Sequence, residues 1–386
     1  MLKQIAMLLT NPFRPDPRVL KEARSLSRAG YKVTIICWDR EGELPSHETL
    51  DGFTIQRIIV KSEYSAGSRQ ILYLPRFWKA ALNALEILKP DIIHCHDLDT
   101  TPVGYWYAHA HHIPWIFDAH ECYPEQMKAQ VNSPIYYLLL ALERLIVSKS
   151  SHVITVGQLL AQRFRDLGGV VSIVGNYAYL SQVETSLTIS RSDLGIPSED
   201  LLIVYIGGFT KGRSILPLVH ATAKISEVTA VLIGDGIQQQ AIESALSTHP
   251  HTIYIGHIPT EQVPAYTNFA DVIYYGLKEQ NGNNQYSVPN ALFNALVAGK
   301  PILTTNIGEI AQIVHENNCG IVLNNTNVNT FTTAIEQLKS NTLRQKMTTN
   351  AFNLAQTYQW HSAEQILLNV YTTLLYSYNS TVPLPK

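Results

Sequence analysis

Glycine, lysine and arginine crowd into one octet, residues 207–214 (GGFTKGRS), placed directly after an apolar run and before a helical pattern. Gly207 and Gly208 let backbone amides approach an anion, a helix start supplies partial positive charge, and Lys211 and Arg213 add full charges. A diphosphate suits such a site. The spacing is neither GxGxxG nor GxxxxGK[ST], so neither a dinucleotide fingerprint nor an ATP-hydrolysing P-loop finds support. Taken alone, the octet also reads as a glycine-rich turn with solvated basic side chains, the lesser of the two readings.

A second concentration covers residues 117–125 (FDAHECYPE), from the end of an apolar strand into a loop, and residues 94–97 (HCHD) end the strand before it. Polar side chains at the carboxyl end of a buried parallel strand face the ligand-binding edge of a sheet. There His120 can exchange hydrogen bonds with a sugar hydroxyl or a phosphate near neutral pH. Histidines beside carboxylates also raise the question of a metal, but HxHD and HE on two loops define no ligand set. Strand-end histidines are commonly just hydrogen-bonded, and no metal is expected. The third segment, residues 281–301, is a polar loop running into a helix punctuated by Gly299 and Pro301. Tyr286, Ser287 and the amides of Val288, Asn290 and Ala291 can bond a polar ligand at that helix start, although the segment alone is only a capped helix.

The elements that must position these residues follow one rhythm. In the first half, β-branched apolar runs at 5–9, 33–38, 53–59, 92–95, 115–118, 153–156 and 171–174 alternate with helical spacing at 17–29, 72–88, 102–109, 134–149 and 158–166. In the second, runs at 201–206, 230–233, 252–255, 272–275, 301–304 and 320–323 alternate with helices at 215–225, 238–246, 263–269, 290–298 and 307–316, and helices at 329–340, 342–357 and 362–376 follow. Continuous apolar strands separated by helices predict parallel sheets covered on both faces. The fold class is therefore α/β, with two Rossmann-like parallel-sheet domains facing a central cleft. The expected division is a first domain over 1–178, a polar, turn-rich linker over 179–200, a second domain over 201–360, and a C-terminal helix and tail over 361–386.

Composition agrees with two domains, since 386 residues exceed the ~250–300 at which single cores stop growing. A net charge of −2 and the absence of any basic block argue against a nucleic-acid partner. Basic residues slightly exceed acidic ones in the first half and the reverse holds in the second, a mild hint that the first domain meets an anionic partner. Four dispersed cysteines form no zinc or disulfide pattern and imply reduced, buried thiols in a cytoplasmic protein. Residues 135–147 (IYYLLLALERLIV) are too short to span a bilayer, and a buried helix is expected there rather than one lying on a membrane.

The order of these segments resembles a glycosyltransferase of the GT-B fold, most closely a family 4-like protein. The resemblance runs from NPFRPDPRVLKEARSLSRAGYKVTIICWD through HCHDLDTTPVGYWYA and FDAHECYPE to YIGGFTKGRSILPLVHA, VLIGDG, IYIGHIP and PNALFNALVAGKPILTT. It implies a retaining, metal-independent transfer from a nucleotide-sugar donor, bound mainly by the second domain, to a glycan, lipid-linked or small-molecule acceptor held by the first. It also implies C-terminal helices packing back toward the first domain, no cofactor, and a role such as polysaccharide biosynthesis. A cytoplasmic location, with a transient visit to the inner face of the membrane, is consistent with it.

By the same resemblance His120 corresponds to the histidine at the donor sugar, and Lys211 and Arg213 to the diphosphate-binding pair, with Gly207 and Gly208 in the same loop. Tyr286 and Asn294 stand where many relatives carry two glutamates, one at the sugar and one at the ribose, and Glu309 lies near the carboxylate of the loop after GKP. Ser287, Val288 and Asn290 complete the expected donor side. Pro12-Phe13-Arg14-Pro15 replaces the usual glycine-rich turn after the first strand, so Arg14 or Arg18, with Glu121, are the acceptor-side candidates. Because positions 286 and 294 are uncharged, a catalytically impaired binding or regulatory partner is the alternative, with a nucleotide-sugar epimerase third.

Overall fold

The computed structural model describes residues 2–14, 16–62, 72–180, 189–249, 251–279 and 282–381. The chain divides into two compact units, Met1–Gly175 with Ala363–Lys386, and Asn176–Ser362. Residues 189–200 of the expected linker thus group with the second unit, and residues 181–188 lie outside the described residues.

The first unit holds strands β1 (Gln4–Leu9), β2 (Lys32–Asp39), β3 (His47–Leu50), β4 (Phe53–Ile59), β5 (Ile92–His96), β6 (Trp115–Ala119), β7 (His152–Thr155) and β8 (Val171–Ile173), in the order β3-β4-β2-β1-β5-β6-β7-β8. Every pairing is parallel except β3 with β4. The interior strands are almost wholly buried, which is why they are visible as apolar runs. Strand β3 is not visible that way, because its HETL sequence lies exposed at the sheet edge. A tight Asp51-Gly52 turn, with both residues at positive φ (49° and 86°), joins it to β4; an Asp-Gly pair suits such a hairpin turn.

The second unit holds β9 (Leu201–Ile206), β10 (Val228–Ile233), β11 (Thr252–Gly256), β12 (Val272–Tyr275), β13 (Ile302–Thr305) and β14 (Gly320–Leu323), all parallel, in the order β11-β10-β9-β12-β13-β14. In each sheet the order reverses beside the first strand, at β1/β5 and at β9/β12. The crevice outside the carboxyl ends at such a switch point is where open α/β sheets take their ligands.

The helix Ser133–Lys149 departs from expectation. Only Glu143, Ile146 and Val147 are buried, while Ile135, Tyr137, Leu138 and Leu145 are exposed along its length. Its apolar run signals a surface face rather than a core one. Among the described residues no helix is long and apolar enough to cross a membrane. The four cysteines are buried and form no disulfide.

Candidate active site

In the second unit, loops from the carboxyl ends of β9, β12 and β13 converge. The β9 loop carries Gly207 to Ser214. Phe209 is buried and roots it, its amide bonding Asp235 O at 2.6 Å. Gly234, at φ 138°, lies so close beneath that a Cβ there would sit 2.0 Å from Gly207 O, so only glycine lets β10 end against this loop. Ser214 N donates to Gly276 O at 3.0 Å and Lys278 N to Gly212 O at 2.9 Å, stitching the octet to the β12 loop.

Asn284 fastens the rest. Buried at 3% exposure, it donates through Nδ2 to the carbonyls of Gly212 (3.1 Å) and Lys278 (2.8 Å), and its Oδ1 accepts from Arg213 Nη1 at 3.4 Å. The Arg213 guanidinium also lies 5.0 Å from the centre of the Tyr275 ring, a cation–π contact, and Tyr275 stacks on Tyr205. Arg213 is thereby held half-buried, with its charge balanced by no carboxylate among the described ion pairs. Lys211 and Gly208 are exposed beside it. The β13 loop enters at Gly308, whose φ is 80°. A Cβ at this position would lie 2.7 Å from Asn284 O and 3.1 Å from Ser287 O, which leaves no room for a side chain. Glu309 follows, buried, in the first turn of the helix Glu309–Glu316, where the helix dipole favours a carboxylate.

Not every expected donor-side residue joins this convergence. Tyr286 and Ser287 are half-buried at the end of the turn Gly282–Tyr286, Val288 is buried and Asn290 is exposed at the start of its helix. Asn294, one turn on, instead lines a small pocket with Ala178, Pro264, Thr267, Asn268, Val297 and Ala298.

In the first unit the strand ends carry a buried charge cluster. Arg18, on the helix Pro17–Arg28, clasps Asp118 at the end of β6 (Nη2 to Oδ1 2.7 Å, Nε to Oδ2 3.2 Å) and donates to Val174 O at 2.6 Å. It also pairs with Glu22 one turn along (Nε to Oε1 3.2 Å). His120 reaches Asp118 Oδ2 through Nε2 (3.3 Å) and Asp97 Oδ2 through Nδ1 (3.5 Å). Burial opposes charge on His120, but Asp97 and Asp118 prevail and push it up to about 10. Burial likewise works against the Asp118 carboxylate, yet Arg18 and His120 hold it well below the usual range. His96, by contrast, is held well below its ordinary value by burial and by His94 beside it. His120 is therefore a partly exposed N–H donor fixed on a buried anion.

Of the acceptor-side candidates, Glu121 is exposed next to His120. Arg14 is exposed and bonds Glu41 at 2.9 Å. Arg18 goes to a different place: it is 5% exposed and spends its guanidinium inside the cluster. The turn after β1 is held by Arg57, which donates to the carbonyls of Pro12 and Phe13 and to that of Pro45. Sequence reading passed over Glu22, Asn284, Tyr275 and Tyr371. Only Glu22 carried a signal, its i,i+4 spacing from Arg18.

Residues 18–176 match the family Glycosyltransferase Family 4, and residues 200–341 match the family Glycosyl transferases group 1. An uncharacterized glycosyltransferase of Methanocaldococcus jannaschii, MJ1607, is 22% identical over 377 residues, covering 90% of this chain and 91% of that protein. Among solved structures, sucrose-phosphate synthase from Thermosynechococcus elongatus superposes with a TM-score of 0.82 at 18% identity over 97% of this chain and 100% of that one. Anabaena HepE in complex with UDP-glucose gives 0.74 at 14% identity, over 96% and 100%. At such identities the structural likeness speaks for the fold, and the two matched families speak for the chemistry. Both point the same way: the chain belongs to the family 4-like glycosyltransferases and has the GT-B fold.

Proposed function

We propose that this enzyme moves a sugar, with retention of anomeric configuration, from a nucleotide-sugar donor held by the second unit to an acceptor held by the first. The observation that carries the reading is Arg213, fastened by Asn284 and the Tyr275 ring beside exposed Lys211, in a loop whose glycines leave the backbone accessible. Positive charge fixed in advance stabilises negative charge as it builds on a departing nucleoside diphosphate, and does so without reorganisation. The basic pair thus takes the part that a diphosphate-bound metal plays elsewhere, and no cofactor is needed. His120 offers its N–H to a donor-sugar hydroxyl, Tyr286, Ser287 and the amides at Val288 and Asn290 hold the sugar and phosphates, and Glu309 completes the donor side. HepE bound to UDP-glucose supports a nucleoside-diphosphate sugar as the donor class.

The acceptor is a glycan, a lipid-linked glycan or a small molecule. The exposed apolar face of the helix Ser133–Lys149, with Arg144 and Lys149 exposed on the same helix, supports a peripheral visit to an anionic cytoplasmic membrane surface where lipid-linked acceptors reside. Mass spectrometry of the protein incubated with UDP-, GDP-, ADP- and dTDP-sugars tests the donor reading. Slow release of free sugar and nucleotide from one donor is expected. Binding without turnover of any donor would favour the impaired-partner alternative, and an isomeric nucleotide-sugar would favour an epimerase. Co-sedimentation with anionic vesicles should be lost in Leu138→Glu; unchanged sedimentation would remove the membrane from the proposal.

A further inference from the structure

Beneath His120 the first unit gathers a second set of groups, distinct from the donor loop. His94 and His96 are alternate residues of β5, so both rings project from one face of the sheet, stacked with centroids 4.3 Å apart at 15°. In the parallel register His96 lies beside Asp118 of β6. The helix Pro17–Arg28 brings Glu22 over the same face. All four side chains are at most 1% exposed. One donor atom from each falls within 4.8 Å of all the others. His94 Nε2 is 3.4 Å from Asp118 Oδ2 and 3.9 Å from Glu22 Oε2, and His96 Nε2 is 4.0 Å from Glu22 Oε2.

Asp118 Oδ2 already meets Arg18 and His120, but the other atoms are poorly served by the protein itself. Both Glu22 oxygens, His94 Nε2 and His96 Nε2 are buried without a hydrogen-bond partner, Glu22 Oε1 having only its ion pair with Arg18. Buried polar groups are seldom left so, and four converging on one another is a pattern that an occupant would resolve. The outer atoms, in contrast, are all engaged. His94 Nδ1 meets the Tyr371 hydroxyl at 2.7 Å, His96 Nδ1 meets Asp118 Oδ2 and His120 Nε2 at 3.2 Å each, and Arg18 Nη2 holds Asp118 Oδ1 at 2.7 Å. Far nitrogens bonded to oxygen partners and carboxylates steadied by a neighbour are the supports that orient metal ligands. A tetrahedral ion with bonds of about 2.1 Å has ligand edges of about 3.4 Å; the separations of 3.4, 3.9 and 4.0 Å lie near that value, and the widest, within 4.8 Å, would close by at most about 1.4 Å.

We propose that Glu22, His94, His96 and Asp118 bind one divalent first-row transition cation, with zinc the best fit. Two imidazoles with two carboxylates favour that class over magnesium or calcium, which prefer all-oxygen shells. The ion pins the helix Pro17–Arg28 to β5 and β6 and, through Tyr371, to the C-terminal helix Trp360–Thr381. Its role is structural, and its effect on chemistry runs through Asp118, which positions His120. This inference concerns the first unit alone and does not rest on the donor reading.

Elemental analysis of the full-length protein purified without chelator is expected to find about one equivalent of such a metal per chain. After chelator dialysis, Co2+ should produce the visible absorption of a tetrahedral nitrogen–oxygen site, and Zn2+ should raise the melting temperature of the apo protein. His94→Ala and Glu22→Gln should each lose both responses. His249→Ala serves as the control, because its contact with His220 (2.9 Å) is a close histidine pair outside the cluster and its loss should leave both responses intact. If a variant fails to fold, the wild-type metal content and Co2+ spectrum still decide. Metal-free wild-type protein that gives no Co2+ spectrum, or a crystal structure with water alone among the four side chains, would overturn the proposal.

Discussion

The two units build their strand-end sites from opposite materials. In the first, full charges are buried and compensate one another: Arg18 against Asp118 and Glu22, and His120 against Asp97 and Asp118. In the second, apart from the buried Glu309 at its helix start, the framework is neutral, made of backbone carbonyls, Asn284 and the hydroxyls of Thr304 and Thr305, which bond Tyr275 O and Leu277 O. Its charges, Lys211 and Arg213, are left on top. The contrast teaches that residue type does not decide role. An arginine whose charge is matched internally holds the fold, whereas one held by an amide and a ring keeps its charge for a ligand.

The contrast can be broken from either side. Arg18→Met should have the largest effect, since it removes the buried guanidinium that holds both Asp118 and Glu22, a loss of about 3–5 kcal/mol. Four of the five tryptophans lie in the first unit, so urea unfolding followed by tryptophan fluorescence should show the midpoint fall steeply. An unchanged midpoint would mean that Arg18 is dispensable to the cluster. Arg213→Ala should leave that unfolding curve in place and instead slow turnover on the order of 100-fold, the scale of losing one preorganised charge donor. If turnover with the preferred donor is unaffected, the diphosphate is not held at this loop.

Asn284→Ala sharpens the comparison further. It unpairs the Lys278 carbonyl and takes one of two donors from that of Gly212, which should cost about 1–3 kcal/mol of second-unit stability and raise the KM for donor by loosening Arg213. Calorimetry and steady-state kinetics measure the two effects separately. A KM that stays put while stability falls would show that Asn284 shapes the loop without steering Arg213. Gly308→Ala should follow in size and in kind, because its new methyl would press on Asn284 O, and its thermal midpoint relative to Asn284→Ala tests whether both act through that one residue.

Much of this architecture is legible in the sequence for a simple reason. Strands buried on both faces must be apolar throughout, so β1, β2, β9 and β12 stand out, whereas β3 at an exposed edge has no such obligation and leaves no apolar run. The helix Ser133–Lys149 shows the limit of the same logic, since an apolar run does not say whether it faces protein or solvent. At the sites, the octet and His120 are visible because their neighbours in sequence are also their neighbours in space. The role expected of Asn294 rests on its position relative to Gly299, whereas its side chain faces the helix Val263–Phe269 through Pro264 and Thr267.

Sequence alone therefore determined the alternation of strands and helices, the phosphate-suited octet and the histidine at the end of β6, all of which are local or periodic properties. Tertiary structure decided which charges are spent. Glu22 and Asp118 are far apart in the chain, and nothing in either neighbourhood announces the other; only the parallel register of β5 with β6 and the packing of one helix across them bring both to His94 and His96. Burial then fixes the outcome, because a charge removed from water must find its partner within a few ångströms, and which partner that is depends on how distant segments pack.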